Sequence, residues 1–277
     1  MQSLVDYQDL QKGKFESLIP RLTDAIFRPA TSVFGLIYMS RYDSFANHYD
    51  HVVGDRQEVA DFLLELIAKY HRKTMSVLEL GCGSGSMLKT LTRLYKCEGI
   101  DLSKEMLRIA KTKAPLARLH HGDISDFDLK SRFDVVICPF DTINHVTSRA
   151  KWRGVFQMAH RHLNPGGVFI FDINTEYKLE CYAAEASVTE NSDDFVSIIQ
   201  VDRLKRFNYE IILKRFERTK SGSFKLHKMV LPELVVPTET ILGYLSVYFK
   251  TVTMIDPDRR KPGPETDDLF FVCRDPR

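Results

Sequence analysis

Hydrophobic positions between residues 56 and 175 follow two alternating spacings. Short apolar runs, the kind that become buried strands, are separated by stretches in which apolar residues recur every three or four positions. The predicted strands cover residues 76–80, 98–101, 117–121, 133–140 and 168–173. Strands that alternate with helices predict an α/β fold, in which a parallel sheet with right-handed crossovers carries helices on both faces.

The pattern changes after the fifth predicted strand. Apolar residues at every second position within 195–231 predict two or three antiparallel strands, with residues 221–222 as one turn. Thr238 is the predicted N-cap of a helix that ends near Val247. The last two predicted strands cover residues 252–255 and 269–273. An antiparallel insertion is therefore expected between the fifth strand and the C-terminal elements.

Composition narrows the class of protein. Hydrophobic residues make up 44% and charged residues 27% of the 277 positions, a balance typical of a globular fold with a sizeable core. The net charge of +2 gives no strong sign of nucleic-acid binding. The five cysteines form no CxxC pair, so they are expected to be free thiols in a reducing compartment. With no signal peptide and no membrane-spanning segment recognised, the expected location is the cytoplasm.

The stretch from Val77 to Gly85, VLELGCGSG, runs from a predicted strand into glycines and then into a helix. Glycines let the backbone approach a ligand closely, and the N–H groups of a helix N-terminus favour a carboxylate or a phosphate. Asp101 lies at the end of the next strand, where an acidic side chain can accept hydrogen bonds from both hydroxyls of a ribose. Together these features predict a site for a ligand that contains adenosine.

Glu79, just ahead of the glycines, distinguishes between adenosine ligands. Dinucleotide-binding folds use the spacing G-x-G-x-x-G and leave the approach to the pyrophosphate neutral. Here the spacing is G-x-G-x-G, and Glu79 would repel a pyrophosphate but attract a ligand that carries an ammonium and a sulfonium group. The sequence therefore favours S-adenosylmethionine (SAM) over NAD.

Five segments resemble the successive motifs of class I SAM-dependent methyltransferases. They are ELGCGSG, EGIDLSKEML, HGDISDFDL, FDVVICPFDTINHV and LNPGGVFIFDIN. The resemblance covers roughly residues 45–175 and the C-terminal strands. It implies a Rossmann-like seven-stranded sheet with helices on both faces and an antiparallel β insertion after the fifth strand. It also implies SAM as the cofactor and S-adenosyl-L-homocysteine (SAH) as the product.

Within this superfamily the chain is similar to small-molecule N-methyltransferases, such as sugar N,N-dimethyltransferases and glycine N-methyltransferase-like enzymes. The F-A-x-x-Y-D segment at 45–50, the I-x-H segment at 143–145 and the antiparallel insertion carry this similarity. It implies methyl transfer to a nitrogen, less favourably to an oxygen, of a small-molecule acceptor. A homodimer is left open as the oligomeric state.

Four segments are predicted on this basis. Residues 1–55 form an N-terminal helical lid segment, and residues 56–175 form the SAM-binding core. Residues 176–235 form the antiparallel insertion on the substrate side, and residues 236–277 add the helix and strands that complete the core sheet. The aromatic residues of the lid segment include Phe34, Tyr38, Tyr42, Phe45 and Tyr49.

The resemblance implies roles for individual residues of the cofactor site. Gly81, Gly83 and Gly85 would shape the turn around the methionine part of SAM. Glu79 would hold its ammonium group, and Asp101 would bind the ribose. The other residues assigned to the cofactor are Tyr49, Cys82, Leu102, Met106, Asp123, Ile124 and Cys138.

Four of these residues would surround the adenine. Leu102 and Met106 would pack near its ring, Asp123 would accept from its amino group, and Ile124 would donate its backbone N–H. Asp123 could instead be a turn or capping residue, Met106 plain core, and Tyr49 core or pocket wall. Cys138 ends a buried apolar run, where a thiol tends to be inert, so a nucleophilic role is disfavoured.

The predicted substrate residues follow the fourth and fifth strands: Asp141, Asn144, His145 and Asn174. Ligands in open α/β sheets bind outside the carboxyl ends of the strands, where the acceptor should meet the methyl group. Asp141 or Asn174 could instead cap a helix or a turn. His145 is the candidate catalytic base, because histidine titrates near neutral pH and an amine must shed a proton. It could also anchor the substrate or be structural.

Three other functions compete with small-molecule methylation. An RNA or protein methyltransferase would use the same cofactor site, but neither a long basic run nor a (D/N)PP(Y/F) tetrapeptide supports it. A non-catalytic SAM-binding relative would keep the same turn and acids without turnover. An NAD-dependent oxidoreductase is disfavoured by the glycine spacing and by Glu79.

Overall fold

The computed structural model describes residues 38–54, 57–184, 187–192, 194–258 and 261–277. The predicted lid segment therefore enters the description only from Tyr38 onward, and Phe34 lies outside the described residues. None of the described helices is both long and apolar enough to span a membrane.

The helices and strands of the described residues alternate along the first two thirds of the chain and become mostly strands afterwards. In chain order they are α1 (Tyr38–Val53), α2 (Gln57–Tyr70), β1 (Ser76–Leu80), α3 (Ser86–Leu91), β2 (Lys96–Asp101), α4 (Lys104–Lys113), β3 (Arg118–His121), β4 (Phe133–Cys138), a 3₁₀ helix (Thr142–His145), α5 (Arg149–Arg161), β5 (Leu163–Asn174), α6 (Glu176–Ala184), β6 (Ser187–Asn191), β7 (Phe195–Lys205), β8 (Asn208–Arg218), β9 (Phe224–Leu234), α7 (Thr238–Leu245), β10 (Phe249–Ile255) and β11 (Asp268–Pro276).

The larger sheet has seven strands in the order β10-β11-β5-β4-β1-β2-β3. Strands β1 to β5 run parallel, and β11 is antiparallel to both of its neighbours, β5 and β10. The predicted fold class, a Rossmann-like α/β fold with an antiparallel insertion after the fifth strand, is confirmed.

Alternating side chains of the central strands supply both halves of the core. Leu78 and Leu80 of β1 belong to the same cluster as Trp152 and Phe156 of α5, whereas Val77 belongs to the cluster on the opposite face, with α2 and α3. Successive side chains of a strand point to opposite faces, so a continuously apolar strand needs helices on both sides. This layering leaves the carboxyl ends of β1, β2 and β4 together at one edge of the sheet.

The insertion is a four-stranded antiparallel sheet in the order β6-β7-β8-β9, rather than the two or three strands predicted. The additional strand is β6, whose sequence SVTEN lacks the apolar alternation of its neighbours. One face of this sheet packs against α1 through a cluster that includes Phe45, Val52, Leu213, Met229 and Leu231. Helix α1 and the insertion therefore share one apolar interface.

Two local boundaries differ from the predictions. Pro237 is the N-cap of α7, so Thr238 is the first residue of that helix rather than its cap. Strand β4 ends at Cys138, two residues earlier than predicted. Phe140 and Asp141 adopt positive φ angles of 62° and 51°, a conformation that a strand cannot continue through.

Gly85→Ala should destabilise the fold more than Gly222→Ala. Both glycines have positive φ angles, 80° and 85°, so alanine strains the backbone by about 1–2 kcal/mol at either position. A Cβ at Gly85 would also lie 2.9 Å from Ala110 Cβ, whereas a Cβ at Gly222 would have no atom within 4 Å. We expect a further loss of about 1–3 kcal/mol for Gly85→Ala. Urea denaturation measures both changes, and equal losses would contradict the close packing of α3 on α4.

Candidate active site

A cavity of about 590 Å³ lies at the carboxyl ends of β1, β2 and β4, the place where open α/β sheets bind ligands. Its wall is built by the turn after β1, by α1, by the 3₁₀ helix and by β9. The predicted site residues that line it are Tyr49, Glu79, Gly81, Cys82, Gly83, Asp101, Leu102, Met106, Asp123, Ile124 and His145. Most of the predicted cofactor residues and the predicted base therefore meet in one cavity.

Gly81 and Gly83 of the turn after β1 are needed for two different reasons. A Cβ at Gly81 would lie 2.2 Å from the Thr142 methyl carbon, so this glycine allows the 3₁₀ helix to approach the turn. A Cβ at Gly83 would have no atom within 4 Å, which means that the turn is open to the cavity there. Both residues have positive φ angles, 72° and 49°, which favour glycine. The open side of this turn leaves room for a ligand close to the backbone.

The Asp101 carboxylate is held against this turn by backbone donors. Its Oδ2 accepts from Gly83 N at 2.8 Å, and its Oδ1 accepts from Ser103 N at 2.8 Å. Burial raises the pKa of Asp101, and the Ser103 and Gly83 N–H groups act against that rise. Each carboxylate oxygen can accept more than one hydrogen bond, so the group retains acceptor capacity toward the cavity.

Charge in the cavity is mostly negative. Its lining contains four carboxylates, Asp50, Glu79, Asp101 and Asp123, and two lysines, Lys113 and Lys151. Both lysines are ion-paired: Lys113 Nζ lies 2.6 Å from Asp50 Oδ2, and Lys151 Nζ lies 2.7 Å from Asp123 Oδ2. The other two acids face the glycine turn, so this part of the cavity favours a ligand with a cationic group.

The residues predicted around adenine line the far side of the cavity. Leu102 is 42% exposed and offers an apolar surface there. Ser103 caps α4 by accepting from Met106 N at 3.1 Å, which holds the loop after β2 in place. Asp123 accepts from Ser125 N and Oγ, so it is also the turn acid that the alternative interpretation proposed.

Two residues of the predicted cofactor set lie outside the cavity lining. Gly85 is the N-cap of α3 and packs against Ala110 of α4 instead. Cys138 is fully buried in the core cluster that contains Trp152. Burial raises the pKa of the Cys138 thiol well above its usual value, as expected for an inert thiol. Cys138 therefore lies away from the cofactor contact that was predicted for it, because its side chain points into the core rather than into the cavity.

His145 also lines the cavity, and its ring lies beside two acids. Its Nε2 lies 3.5 Å from Asp141 Oδ2 and 3.8 Å from Glu233 Oε1. Its Nδ1 lies 3.4 Å from the Pro232 carbonyl oxygen. Glu233 and Pro232 belong to β9, so the insertion supplies half of the surroundings of the predicted base.

The predicted substrate residues Asn144 and Asn174 are buried behind His145 and do not line the cavity. Asn144 Nδ2 donates to the backbone oxygens of Asn174 and Leu234, at 3.2 and 3.3 Å. Asn174 Nδ2 donates to both carboxylate oxygens of Glu233, at 3.3 and 3.2 Å. Both side-chain amides form hydrogen bonds to other protein groups. They therefore lie away from the direct substrate contact that was predicted for them, and they hold Glu233 in place.

Asp141 also lies outside the lining, in a buried group of carboxyls. Its backbone N–H donates to Asp172 Oδ2 at 2.9 Å, which holds the left-handed backbone at Asp141. Burial and the Asp141 charge raise the pKa of Asp172 to about 8. The same two causes raise the pKa of Glu233 well above its usual value. The Asp172 and Glu233 carboxyls, whose pKa values are raised, therefore hold their protons at neutral pH.

Sequence reasoning missed Glu233 as part of the site. It placed Tyr42 in the lid segment and Asp172 at the end of the fifth strand, but gave neither a specific role. Tyr42 lines the cavity from α1, and its ring lies edge-on to His145. Asp172 and Glu233 each interrupt an apolar run, in FIFDIN and MVLPELVV. An acid within such a run signals a buried carboxyl, because a charged residue is rarely buried unless it is paired or protonated.

Comparison with known proteins agrees with this geometry. Residues 77–167 match the family model described as a methyltransferase domain. The chain is 37% identical over 117 residues to the dTDP-3-amino-3,6-dideoxy-alpha-D-glucopyranose N,N-dimethyltransferase of Streptomyces fradiae. The alignment covers 42% of this chain and 46% of that relative, so it spans less than half of the relative's length.

Solved structures share the fold over most of the chain. An S-adenosylmethionine-dependent methyltransferase from Clostridium acetobutylicum has a TM-score of 0.73 at 24% identity, over 84% of this chain and 98% of the other. The SAM-bound amino pentose methyltransferase CalS10 from Micromonospora echinaspora has a TM-score of 0.66 at 19% identity, over 89% and 100%. At these identities the likeness is one of fold.

The matched model assigns residues 77–167 to a methyltransferase domain, and the sheet order and the glycine turn agree with the fold predicted for class I SAM-dependent methyltransferases. The predicted cofactor, SAM, is confirmed with it. The predicted similarity to sugar N-methyltransferases is confirmed as well.

Asp172→Asn should make the stability of the fold less sensitive to pH. The pKa of Asp172 is about 8 in the folded state, against about 4 for an unfolded aspartate. Between these values the folded state keeps a proton that the unfolded state has lost. The free energy of unfolding therefore falls as pH rises, by at most about 1.4 kcal/mol per unit from this group. Asparagine keeps the acceptor for Asp141 N–H but removes the titration.

Urea denaturation between pH 5 and pH 8 measures this change of slope. Asp267→Asn is the matched control, because Asp267 lies nearby on the surface. Parallel pH profiles for the wild type and Asp172→Asn would show that Asp172 is ionised in the folded protein.

Proposed function

We propose that this chain transfers the methyl group of SAM to the amine nitrogen of a small, sugar-like acceptor. The observation that carries the proposal is that the glycine turn, Asp101 and His145 all line one cavity. The relative from Streptomyces fradiae is by name a dimethyltransferase of an amino sugar, which supports a nitrogen acceptor. The Asp141 carboxyl, 3.5 Å from His145 Nε2, adds an acceptor beside His145 for an ammonium group.

The cofactor end fits SAM in charge and in shape. The open side of Gly83 leaves room for the methionine part, Glu79 is placed for its ammonium group, and Asp101 for the ribose hydroxyls. Leu102 and Met106 offer the apolar surface that an adenine needs. When bound, SAM supplies an electrophilic methyl group on a sulfonium. The residues of the chain then have to orient the nucleophile and exclude water.

His145 is the proposed base for the acceptor amine. The Pro232 carbonyl oxygen accepts the hydrogen of Nδ1, which leaves Nε2 as the basic nitrogen. Nε2 takes the proton that the acceptor ammonium must lose before its lone pair can attack the methyl group. Asp141, whose Oδ2 lies 3.5 Å from Nε2, stabilises the imidazolium that forms. Tyr42 and Tyr49 close the cavity over this end.

Asp101→Asn should weaken SAH binding by about 1–3 kcal/mol, through the loss of charge-assisted hydrogen bonds to the ribose. Isothermal titration calorimetry with SAH measures the change. Glu98→Gln is the matched control, since Glu98 lies on the same strand but binds His120 outside the cavity. Unchanged affinity in Asp101→Asn would mean that the ribose lies elsewhere.

His145→Gln should lower kcat on amino-sugar acceptors by about 10²–10⁴-fold near pH 7 and leave SAH affinity unchanged. The defect should shrink at higher pH, because more of the amine is then deprotonated in solution. His71→Gln at the end of α2 is the control, remote from the cavity. A loss that does not vary with pH would show that His145 only anchors the substrate. Turnover of hydroxyl but not amine acceptors would overturn the nitrogen assignment.

A further inference from the structure

A second cluster of metal-ligating side chains lies outside the cavity, where α1 crosses the insertion sheet. It consists of His48 on α1, Glu217 on β8 and His227 on β9. Each side chain offers one ligand atom, and these atoms all lie within 4.8 Å of one another. None of the three residues lines the methyltransferase cavity. The cluster therefore has no role in the site described above.

The sequence pattern explains how the three residues meet. His48 follows Phe45 by three positions, so it continues the face of α1 that packs on the sheet. His227 shares a face of β9 with Met229, two positions further along the strand. Arg215 pairs with His227 and precedes Glu217 by two positions, which makes Glu217 and His227 diagonal neighbours on that same face. The apolar interface between α1 and the insertion sheet thus ends in a polar corner formed by His48, Glu217 and His227.

The distances in this corner suit a bound ion. His227 Nε2 lies 3.4 Å from Glu217 Oε2. Two ligands of a tetrahedral zinc ion, each about 2.0–2.1 Å from the metal, lie about 3.3 Å apart. The rings of His48 and His227 have their centroids 4.3 Å apart with an angle of 42° between their planes, so one ring rotation can aim both at a common point.

The ring nitrogen of His227 is the second observation that points to a ligand. Its Nε2 is buried and makes no hydrogen bond within the described part of the chain. A buried polar atom without a hydrogen bond costs free energy, and a metal ion would satisfy it.

We infer that His48, Glu217 and His227 bind one divalent transition-metal ion, with Zn²⁺ as the ion that two imidazoles and one carboxylate favour. The Glu217 side chain is 50% exposed, so water can complete the coordination. The Arg215 guanidinium acts against a cation here, because Arg215 lies directly across from His227 on the neighbouring strand. We therefore expect micromolar rather than nanomolar affinity.

Such an ion would tie α1 to the insertion sheet. The same helix carries Tyr42, Tyr49 and Asp50 into the wall of the cavity. Metal binding would thus stabilise that wall without touching the reacting groups. The role is structural, and it holds whether or not the acceptor is an amino sugar.

The test is metal binding by the full chain after treatment with a chelator. Calorimetry measures the binding of Zn²⁺, and the visible absorption spectrum reports the coordination of Co²⁺. We expect one equivalent of Zn²⁺, a higher melting temperature and the absorption bands of tetrahedral Co²⁺. His227→Gln should weaken Zn²⁺ binding by at least about tenfold and remove the Co²⁺ bands. Glu217→Gln, at a half-exposed position, gives a second variant if His227→Gln folds poorly.

His145→Gln is the control, because Asp141, His145 and Glu233 form the other group of potential metal ligands in the described chain. It should bind Zn²⁺ as the wild type does. Loss of Zn²⁺ binding in His145→Gln with retention in His227→Gln would place the ion in the cavity and overturn the inference. Absence of saturable Zn²⁺ binding in the wild type would overturn it as well.

Discussion

The hydrogen bond from Gly83 N–H to the Asp101 carboxylate is the constraint on which the cavity depends. It joins the turn after β1 to the end of β2, so the backbone of the turn and the acid are placed together. Without it, burial would favour the neutral form of Asp101 still more strongly. The bond needs a backbone that only glycine adopts easily, with no side chain on the cavity side.

The opposite end of the cavity depends on buried protons rather than on a backbone turn. Asn144 and Asn174 use their amides to connect the 3₁₀ helix, β5 and β9, and so hold Glu233 beside His145. Carboxyls this deeply buried stay protonated near neutral pH, which spares the fold the cost of unpaired buried charge.

Helix α1 connects these two ends. Its aromatic residues reach the cavity, its apolar face packs on the insertion sheet, and His48 sits at the edge of that interface. Lys113 on α4 joins Asp50 of α1 to the turn through Ser84 and Ser86. A change in the position of α1 would therefore move contacts at the glycine turn and at His145 together.

A large part of this fold and site could be predicted from interactions between residues that are close together in the sequence. Strand and helix periods, the glycine turn and Asp101 each depend on a few neighbouring residues, so they could be inferred before any contact was known. The unrecognised strand β6 shows the limit, because its polar sequence carries no alternation and its pairing partner defines it.

Tertiary packing decided the rest. Asn144 and Asn174 look like substrate residues at strand ends, yet the folded chain turns their amides inward to β9. Glu233 and His227 lie far along the chain from His145 and His48, and only the antiparallel register of β8 and β9 brings each pair together. Periodicity specifies which face a side chain occupies, but its neighbour across that face depends on how separate elements pack.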